Sequence, residues 1–310
     1  MAGEPYEVVV VGNAGIDTNV YLGAAVDLAR ETEYPEILDT VGQSGGYAAR
    51  GFGRLGRRVA FLGTVGEDAL GQLLLAELAA DGVDVGYVQL DPAGTNRSVN
   101  LMAPDGRRHG FFDGKSHMTL EPDLDAWRPV LEHARLVHFS IPNWARRLLP
   151  LAREAGAVVS VDLQDVHDLA DRYRADFLAA ADVVFLSGAH LADPRSAVAS
   201  LCRPGRAIVC GLGARGCAIG AGDGVTLVPA VDVDLPVVDT NGAGDSLAAC
   251  LLTSYVLEGR ALLPDSVRRG QLAARWCCSL RGTSRGLITA AQLDELDDAI
   301  RHETPGGGAT

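Results

Sequence analysis

A chain of 310 residues that is 47% apolar and 22% charged has the composition of one large folded domain or two smaller ones, not of an extensively disordered polypeptide. With 40 acidic and 27 basic residues its net charge is −13, a field that repels phosphate backbones and argues against a general nucleic-acid binder. Lys115 is the only lysine and lies in Asp113-Gly114-Lys115-Ser116, which excludes a G-x-x-x-x-G-K-[ST] phosphate loop.

Glu7–Val11 is a continuous apolar run ending at Gly12, the pattern of a strand buried on both faces. Helical spacing follows at Gly46–Leu55, then a short buried strand at Val59–Leu62 and a helix at Ala69–Ala80 closed by Asp81-Gly82. Arg97–Ala103 and Arg107–Phe112 flank Pro104-Asp105-Gly106 and read as a hairpin. Strands are then expected at Leu136–Ser140, Ala157–Asp162, Asp182–Leu186 and Arg206–Cys210. Helices are expected at Trp144–Glu154, Asp171–Ala180 and Asp193–Cys202. A hairpin near Cys217–Pro229 and helices at Ala243–Leu257, Pro264–Leu280 and Thr289–His302 complete the pattern, and 305–310 form a Gly-rich tail expected to fray.

This alternation predicts an α/β fold with a mostly parallel sheet sandwiched by helices. The segments at about 18–41 and 94–116 break the rhythm and are expected to form a small β-sheet lid inserted into one domain spanning 1–304. No run approaches a membrane span, and Met1–Glu7 has neither the basic nor the apolar region of a secretory signal. Six cysteines without a C-x-x-C pair read as buried thiols of a cytoplasmic protein. Seven histidines lack zinc-site spacing, so no metal-ligating set is assigned.

Gly211-Leu212-Gly213-Ala214-Arg215-Gly216 matches G-x-G-x-x-G after a predicted strand. A dinucleotide site also needs a helix to open at that loop, and here a hairpin is expected instead. A stronger block is Val237-Val238-Asp239-Thr240-Asn241-Gly242-Ala243-Gly244-Asp245-Ser246, between an apolar strand and a long helix. Its glycines permit a tight turn and close approach of a ligand, and the first-turn N–H groups make an anion site. Asp245 sits at the same helix end. A carboxylate beside an anion hole suits phosphoryl transfer to an alcohol: the hole holds the phosphate and the carboxylate takes the hydroxyl proton. The same residues also fit a simpler arrangement, an acid that complements the helix dipole after a glycine turn.

A second glycine-rich block runs from Gly42-Gln43-Ser44-Gly45-Gly46-Tyr47 to Gly56 and continues through Val59–Gly71 to Gly82-Val83-Asp84. Together the two blocks resemble the signatures of the ribokinase-like (PfkB) family of carbohydrate and nucleoside kinases. The resemblance extends from Gly12 to about Gly286.

The resemblance implies ATP-dependent, Mg²⁺-assisted phosphorylation of a hydroxyl on a sugar-like or nucleoside substrate. Asp245 matches the family's base, and Gly242, Ala243 and Gly244 its anion hole. Asp17 matches the acid that grips substrate hydroxyls, a role for which a two-oxygen acceptor is suited. Gly42, Gln43 and Ser44 align with the substrate-facing segment. Ser187, Leu212, Gly213, Arg215, Gly216 and Thr240 align with the nucleotide site. Arg97, Arg107, Arg108 and Lys115 fall in the lid, and Arg107 is taken as the one that reaches substrate. A homodimer through the lid edge is expected.

Two departures bear on specificity. Tyr47 stands where many members carry a substrate-contacting Asn and is taken as substrate-binding in its place, while as aromatics Tyr47 and Trp144 are each either a stacking surface for a base or a core residue. Ser187-Gly188-Ala189-His190 replaces the family's N-x-x-E, leaving Mg²⁺ to water and phosphate oxygens. The alternatives are a nucleoside kinase, a non-catalytic binding homologue, and a nicotinamide oxidoreductase resting on Gly211–Gly216.

Overall fold

The structure is a computed structural model that describes residues 5–27, 29, 31–103, 108–222 and 224–303. In chain order its first elements are β1 (Val8–Val11), β2 (Gly15–Tyr21), β3 (Glu36–Gly42), α1 (Ser44–Arg54), β4 (Val59–Leu62), β5 (Thr64–Val65), α2 (Ala69–Ala80), β6 (Val83–Asp84), β7 (Gln89–Leu90), β8 (Asn96–Met102) and β9 (Arg108–Asp113). There follow α3 (Leu124–Leu131), β10 (Leu136–Phe139), α4 (Leu149–Glu154), β11 (Val158–Asp165), α5 (Ala175–Ala180), β12 (Val183–Ser187), α6 (Pro194–Leu201), β13 (Ala207–Gly211), β14 (Cys217–Ala221) and β15 (Gly224–Val228). The last helices are α7 (Ala243–Leu252), α8 (Val267–Cys278) and α9 (Ala290–Glu303).

Among the described residues nine strands form the main sheet, in the order β15-β14-β13-β12-β11-β10-β1-β4-β6. From β6 to β13 the pairs are parallel, and β13-β14-β15 are antiparallel. Apolar runs such as Val8–Val11 dictate this arrangement, because a strand covered on both faces has no polar side. Val9 and Val11 pack among the residues around Trp127, Trp144 and Phe177, while Val8 and Val10 pack on the opposite face with Phe52 of α1, Phe61 and Leu251 of α7. The expected helix at Trp144–Glu154 is instead a 3-10 turn at Asn143–Leu148 followed by α4, with Pro150 in the first turn of α4, where its missing N–H costs no helical bond.

The off-rhythm segments form a second sheet of four strands, ordered β3-β2-β8-β9. Its β2–β8 pair is parallel and its outer pairs antiparallel. The register puts Asp17, Ser98 and Phe112 in one cross-strand row, Asn19, Asn100 and Gly110 in the next, and Tyr21, Met102 and Arg108 in a third. Side chains alternate along a strand, so these rows share one face. The turn expected at Pro104-Asp105-Gly106, Arg107 and the tail 305–310 lie outside the described residues.

Candidate active site

The C-terminal ends of the parallel strands are where α/β sheets bind ligands, because helix N-termini and connecting loops converge there. Here they bring together Gly12–Gly15 after β1, Asp162 and Asp165 at the end of β11, Ser187 at the end of β12, and the start of α7.

Asp17 is 5% exposed on β2. Its carboxylate accepts the Gln43 backbone N–H at 3.3 Å. Burial pushes its carboxyl up, against the Ser98 hydroxyl, the Gln43 amide and the charge of Arg108. A Cβ on Gly42 would lie 1.9 Å from Asp17 Oδ2, so the chain can pass this carboxylate only without a side chain. Gln43, next along, caps α1 with φ 62° and ψ 158°, an uncommon backbone for a non-glycine residue. Both polar atoms of its side chain are buried without a partner, as are Asn13 Oδ1 and Asn96 Oδ1. Buried amides in this condition are uncommon in a folded chain. Ser44 opens α1 and its Oγ accepts from Gln164 Nε2 at 2.9 Å, tying α1 to the end of β11.

Gly242 caps α7 with φ 71° and ψ 2°, in the left-handed region. The Ala243 N–H returns to Thr240 O at 3.4 Å, the Asp245 N–H turns to its own carboxylate, and that of Gly244 reaches no backbone carbonyl among the described residues. A Cβ at Gly244 would meet nothing within 4 Å, so space for a ligand adjoins the Gly244 amide. Asp245 is half-buried and its Oδ1 is buried without a partner. Burial first, and then the charge of Asp162, push its carboxyl well above the usual carboxylate range. The Asp162 carboxyl is itself pushed up to about 6 by burial and the Asp165 charge.

The loop before the cradle is held by the second sheet. Tyr21 OH donates to Asp239 Oδ2 at 2.6 Å, and the Gly282 N–H donates to the same hydroxyl at 2.8 Å. Asn241 Nδ2 donates to Asn19 Oδ1 at 3.2 Å, which also receives Asn100 Nδ2 at 3.0 Å. Arg108 donates to Asn241 Oδ1. Of these partners the sequence pointed to Arg108, Asp239 and Asn241, and not to Asn19, Tyr21, Asn100 or Gly282. Asp17, Asn19 and Tyr21 alternate along one strand, a spacing from which their shared face could have been read.

One expected residue takes another place. Tyr47 does not line the cleft: it is 3% exposed, its hydroxyl pairs with Thr283 Oγ1 at 2.9 Å, and its ring fills the space that a Cβ of Gly242 would need. Trp144 is 1% exposed and packs against Trp127 at 5.5 Å, so neither aromatic offers a face to a base. Gly211–Gly216 leads through a 3-10 turn into β14, not into a helix, which removes the dinucleotide site. Leu212 and Gly213 form that turn, Arg215 is exposed on it, Gly216 closes it with φ 91°, and Thr240 is exposed before the cradle. Ser187 pairs with Gly211 in register. His190, exposed, stacks on His167 at 4.1 Å.

The described residues contain no cluster of three or more His, Cys, Asp or Glu arranged to hold a metal ion, and no helix among them is long and apolar enough to cross a membrane.

A parallel sheet flanked by helices, with a small separate sheet beside it and an open helix N-terminus next to a half-buried carboxylate, is the plan of a ribokinase-like kinase. The description "pfkB family carbohydrate kinase" matches residues 7–290, and the chain belongs to that family and is a carbohydrate kinase. It is 31% identical over 302 residues to the acarbose 7(IV)-phosphotransferase of Actinoplanes sp., covering 94% of this chain and 98% of that protein. It is 29% identical to the fructokinase of Solanum tuberosum, over 83% of this chain and 85% of the relative. Among solved structures, a microbiome-derived acarbose kinase superposes with a TM-score of 0.85 at 32% identity, covering 94% and 99% of the two chains. An Arabidopsis thaliana ribokinase complexed with ribose and ATP superposes with a TM-score of 0.78 at 22% identity, covering 94% and 98%, and shares the fold.

Proposed function

We propose that this kinase transfers the γ-phosphoryl group of ATP to a hydroxyl of a saccharide larger than a single sugar, with Asp245 as general base. The observation that carries this reading is the unpartnered Asp245 oxygen beside a Gly244 amide that reaches no carbonyl. Asp245 takes the acceptor hydroxyl's proton as its oxygen attacks the γ-phosphorus. The bond from that phosphorus to the β,γ-bridging oxygen breaks, ADP leaves, and the amides of Gly242–Gly244 hold the migrating group. Asp17 and the Gln43 amide orient the neighbouring hydroxyls. Ser187, Leu212–Gly216 and Thr240 border the nucleotide. A Mg²⁺ ion, when bound with the nucleotide, would neutralise phosphate charge and be held by phosphate oxygens and water.

Two features favour an extended saccharide over a nucleoside. Phe112 lies in the Asp17 row of the second sheet and is 52% exposed, a platform for the C–H face of a sugar ring. Tyr47 and Trp144, the aromatics that could have stacked on a base, are in the core. The similarity to two proteins named for acarbose points the same way. Phosphate transfer from ATP should be compared across acarbose, linear oligosaccharides, fructose, ribose and adenosine. Preference for the oligosaccharides is expected. Preference for adenosine would replace this reading by a nucleoside kinase, and saccharide binding without transfer would replace it by a non-catalytic homologue.

We also propose that two copies pair through the outward face of the second sheet, where Ile37 and Phe111 are 57% and 55% exposed. A monomer in light scattering at micromolar concentration would contradict this.

A further inference from the structure

A cavity of about 400 Å³ lies between the segment that follows β11 and the helices α5 and α6. That volume falls within the range of about 300–1,000 Å³ typical of small-molecule sites. Leu163 and Val166 on its wall belong to the apolar layer around Trp127 and Phe177, whereas α1 and α7 pack on the opposite face of the sheet. The cavity is therefore separate from the cleft at Asp245. Its lining carries four arginines, Arg172, Arg174, Arg203 and Arg206, against two carboxylates, Asp168 and Asp171. In a chain of net charge −13 this is a local reversal of sign.

Both carboxylates are already engaged. Asp171 pairs with Arg174, whose Nε and Nη2 also donate to Leu163 O at 3.0 Å and Asp165 O at 2.8 Å. Asp168 accepts the Ala170 N–H at 2.8 Å. Arg206 is 7% exposed and donates to carbonyls, those of Leu178 at 2.6 Å, Ala181 at 3.2 Å and Leu201 at 3.3 Å, which uses three of its five N–H groups. Arg203 donates to the Ala179 and Ala181 carbonyls at 3.1 and 3.0 Å. The Arg172 side chain makes no bond among the described residues. Burial and then the Arg203 charge push the Arg206 guanidinium down, against the charge of Asp182, whose carboxylate is bonded to Arg153 at 2.6 Å and to the Val159 N–H at 2.9 Å. The carbonyl ends of α5 and α6 supply at most about half a negative charge each, or about one unit against the two full charges of Arg203 and Arg206. Capping the two helices therefore accounts for one guanidinium and not for both.

We propose that this cavity is a binding site for a small organic phosphate, whose oxygens meet Arg172, Arg203 and Arg206 and whose apolar body lies against Leu163 and Val166. A buried charge without a counter-ion is unfavourable, and this ligand supplies one. A phosphate monoester carries about 1.5–2 negative charges at neutral pH, which matches the surplus better than the single charge of a carboxylate. Guanidinium forks take its oxygens in pairs. The occupant rests on Leu163, the neighbour of Asp162, so it reaches the end of β11 from the side opposite α7.

The test uses the full chain saturated with a non-hydrolysable ATP analogue, so that the phosphate positions of the cleft are filled, and titrates phenyl phosphate by calorimetry. The wild type should bind it at a single site, and benzyl alcohol, an uncharged probe, at least about 10-fold more weakly. Arg172→Gln and Arg203→Gln should each weaken phenyl phosphate binding by about 10- to 100-fold, the range for a charge-assisted hydrogen bond. Arg203→Lys should recover part of that loss, because an ammonium keeps the charge and lacks the fork. No binding of phenyl phosphate by the wild type, equal binding of benzyl alcohol, or an affinity within twofold of wild type in both Gln variants overturns the proposal. Should Arg203→Gln fail to fold, unchanged affinity in Arg172→Gln, whose exposed side chain holds no other group, overturns it alone.

Discussion

Gly242→Ala sets the backbone of the cradle against the core beneath it. An alanine there must keep φ 71°, which costs about 1–2 kcal/mol for an L-residue. Its Cβ would also lie 2.4 Å from two ring carbons of Tyr47. The ring has little room to retreat, being 3% exposed and tied through its hydroxyl to Thr283. Overpacking of this kind costs about 1–3 kcal/mol, for a combined loss of about 2–5 kcal/mol. A domain with 5–15 kcal/mol of stability survives most of that range, so the variant should fold and be measurable at about 25 °C. The assay is urea unfolding of wild type, Gly242→Ala, Tyr47→Ala and the double variant, analysed as a cycle. In the Tyr47→Ala background the clash is gone, and the alanine should cost only the backbone contribution, leaving a coupling of about 1–3 kcal/mol. Equal costs in the two backgrounds would refute the claim that Tyr47 supports the cradle from below.

Other outcomes follow from the same geometry. Asp162→Asn removes a negative charge that holds the Asp245 carboxyl up, so the acid limb of kcat/KM should move to lower pH; a limb that stays in place or rises contradicts the coupling. The base must be ionised to work, and its carboxyl is held up by burial, so wild-type activity should fall on acidification well before the pH at which an ordinary carboxylate protonates. Phe112→Ala should raise KM for an oligosaccharide by about 10-fold with little change in kcat, the loss of one aromatic face; equal KM values for the two proteins would remove the platform.

The main sheet was legible because its strands are apolar runs and its helices carry the complementary period. Val59–Leu62 and Ala69–Ala80 have the boundaries read from sequence. The glycine block at 242–244 was legible for a similar reason, since its turn and helix are local. What the sequence concealed is long-range. The bond from Arg108 to Asn241 spans 133 positions and that from Tyr21 to Asp239 spans 218, and no local periodicity encodes such pairs. Telling Arg107 from Arg108 as the lid cation requires the register of β8 and β9, which a hairpin motif leaves open by one residue, and Arg107 lies outside the described residues. Tyr47 was read as facing the cleft because its position in the motif is a substrate contact in related kinases. The ring turned inward because Gly242 leaves space beneath it. The influence of Asp162 on Asp245 likewise depends on β11 ending beside α7, which only the folded sheet determines.

The most direct measurement compares phosphate transfer from ATP to the preferred saccharide by the wild type and by Asp245→Asn, with nucleotide and saccharide binding measured alongside. Loss of the base should lower kcat by about 10²- to 10⁴-fold while both ligands still bind. Turnover by Asp245→Asn within a few-fold of wild type would contradict the assignment of this carboxylate as the group that activates the acceptor.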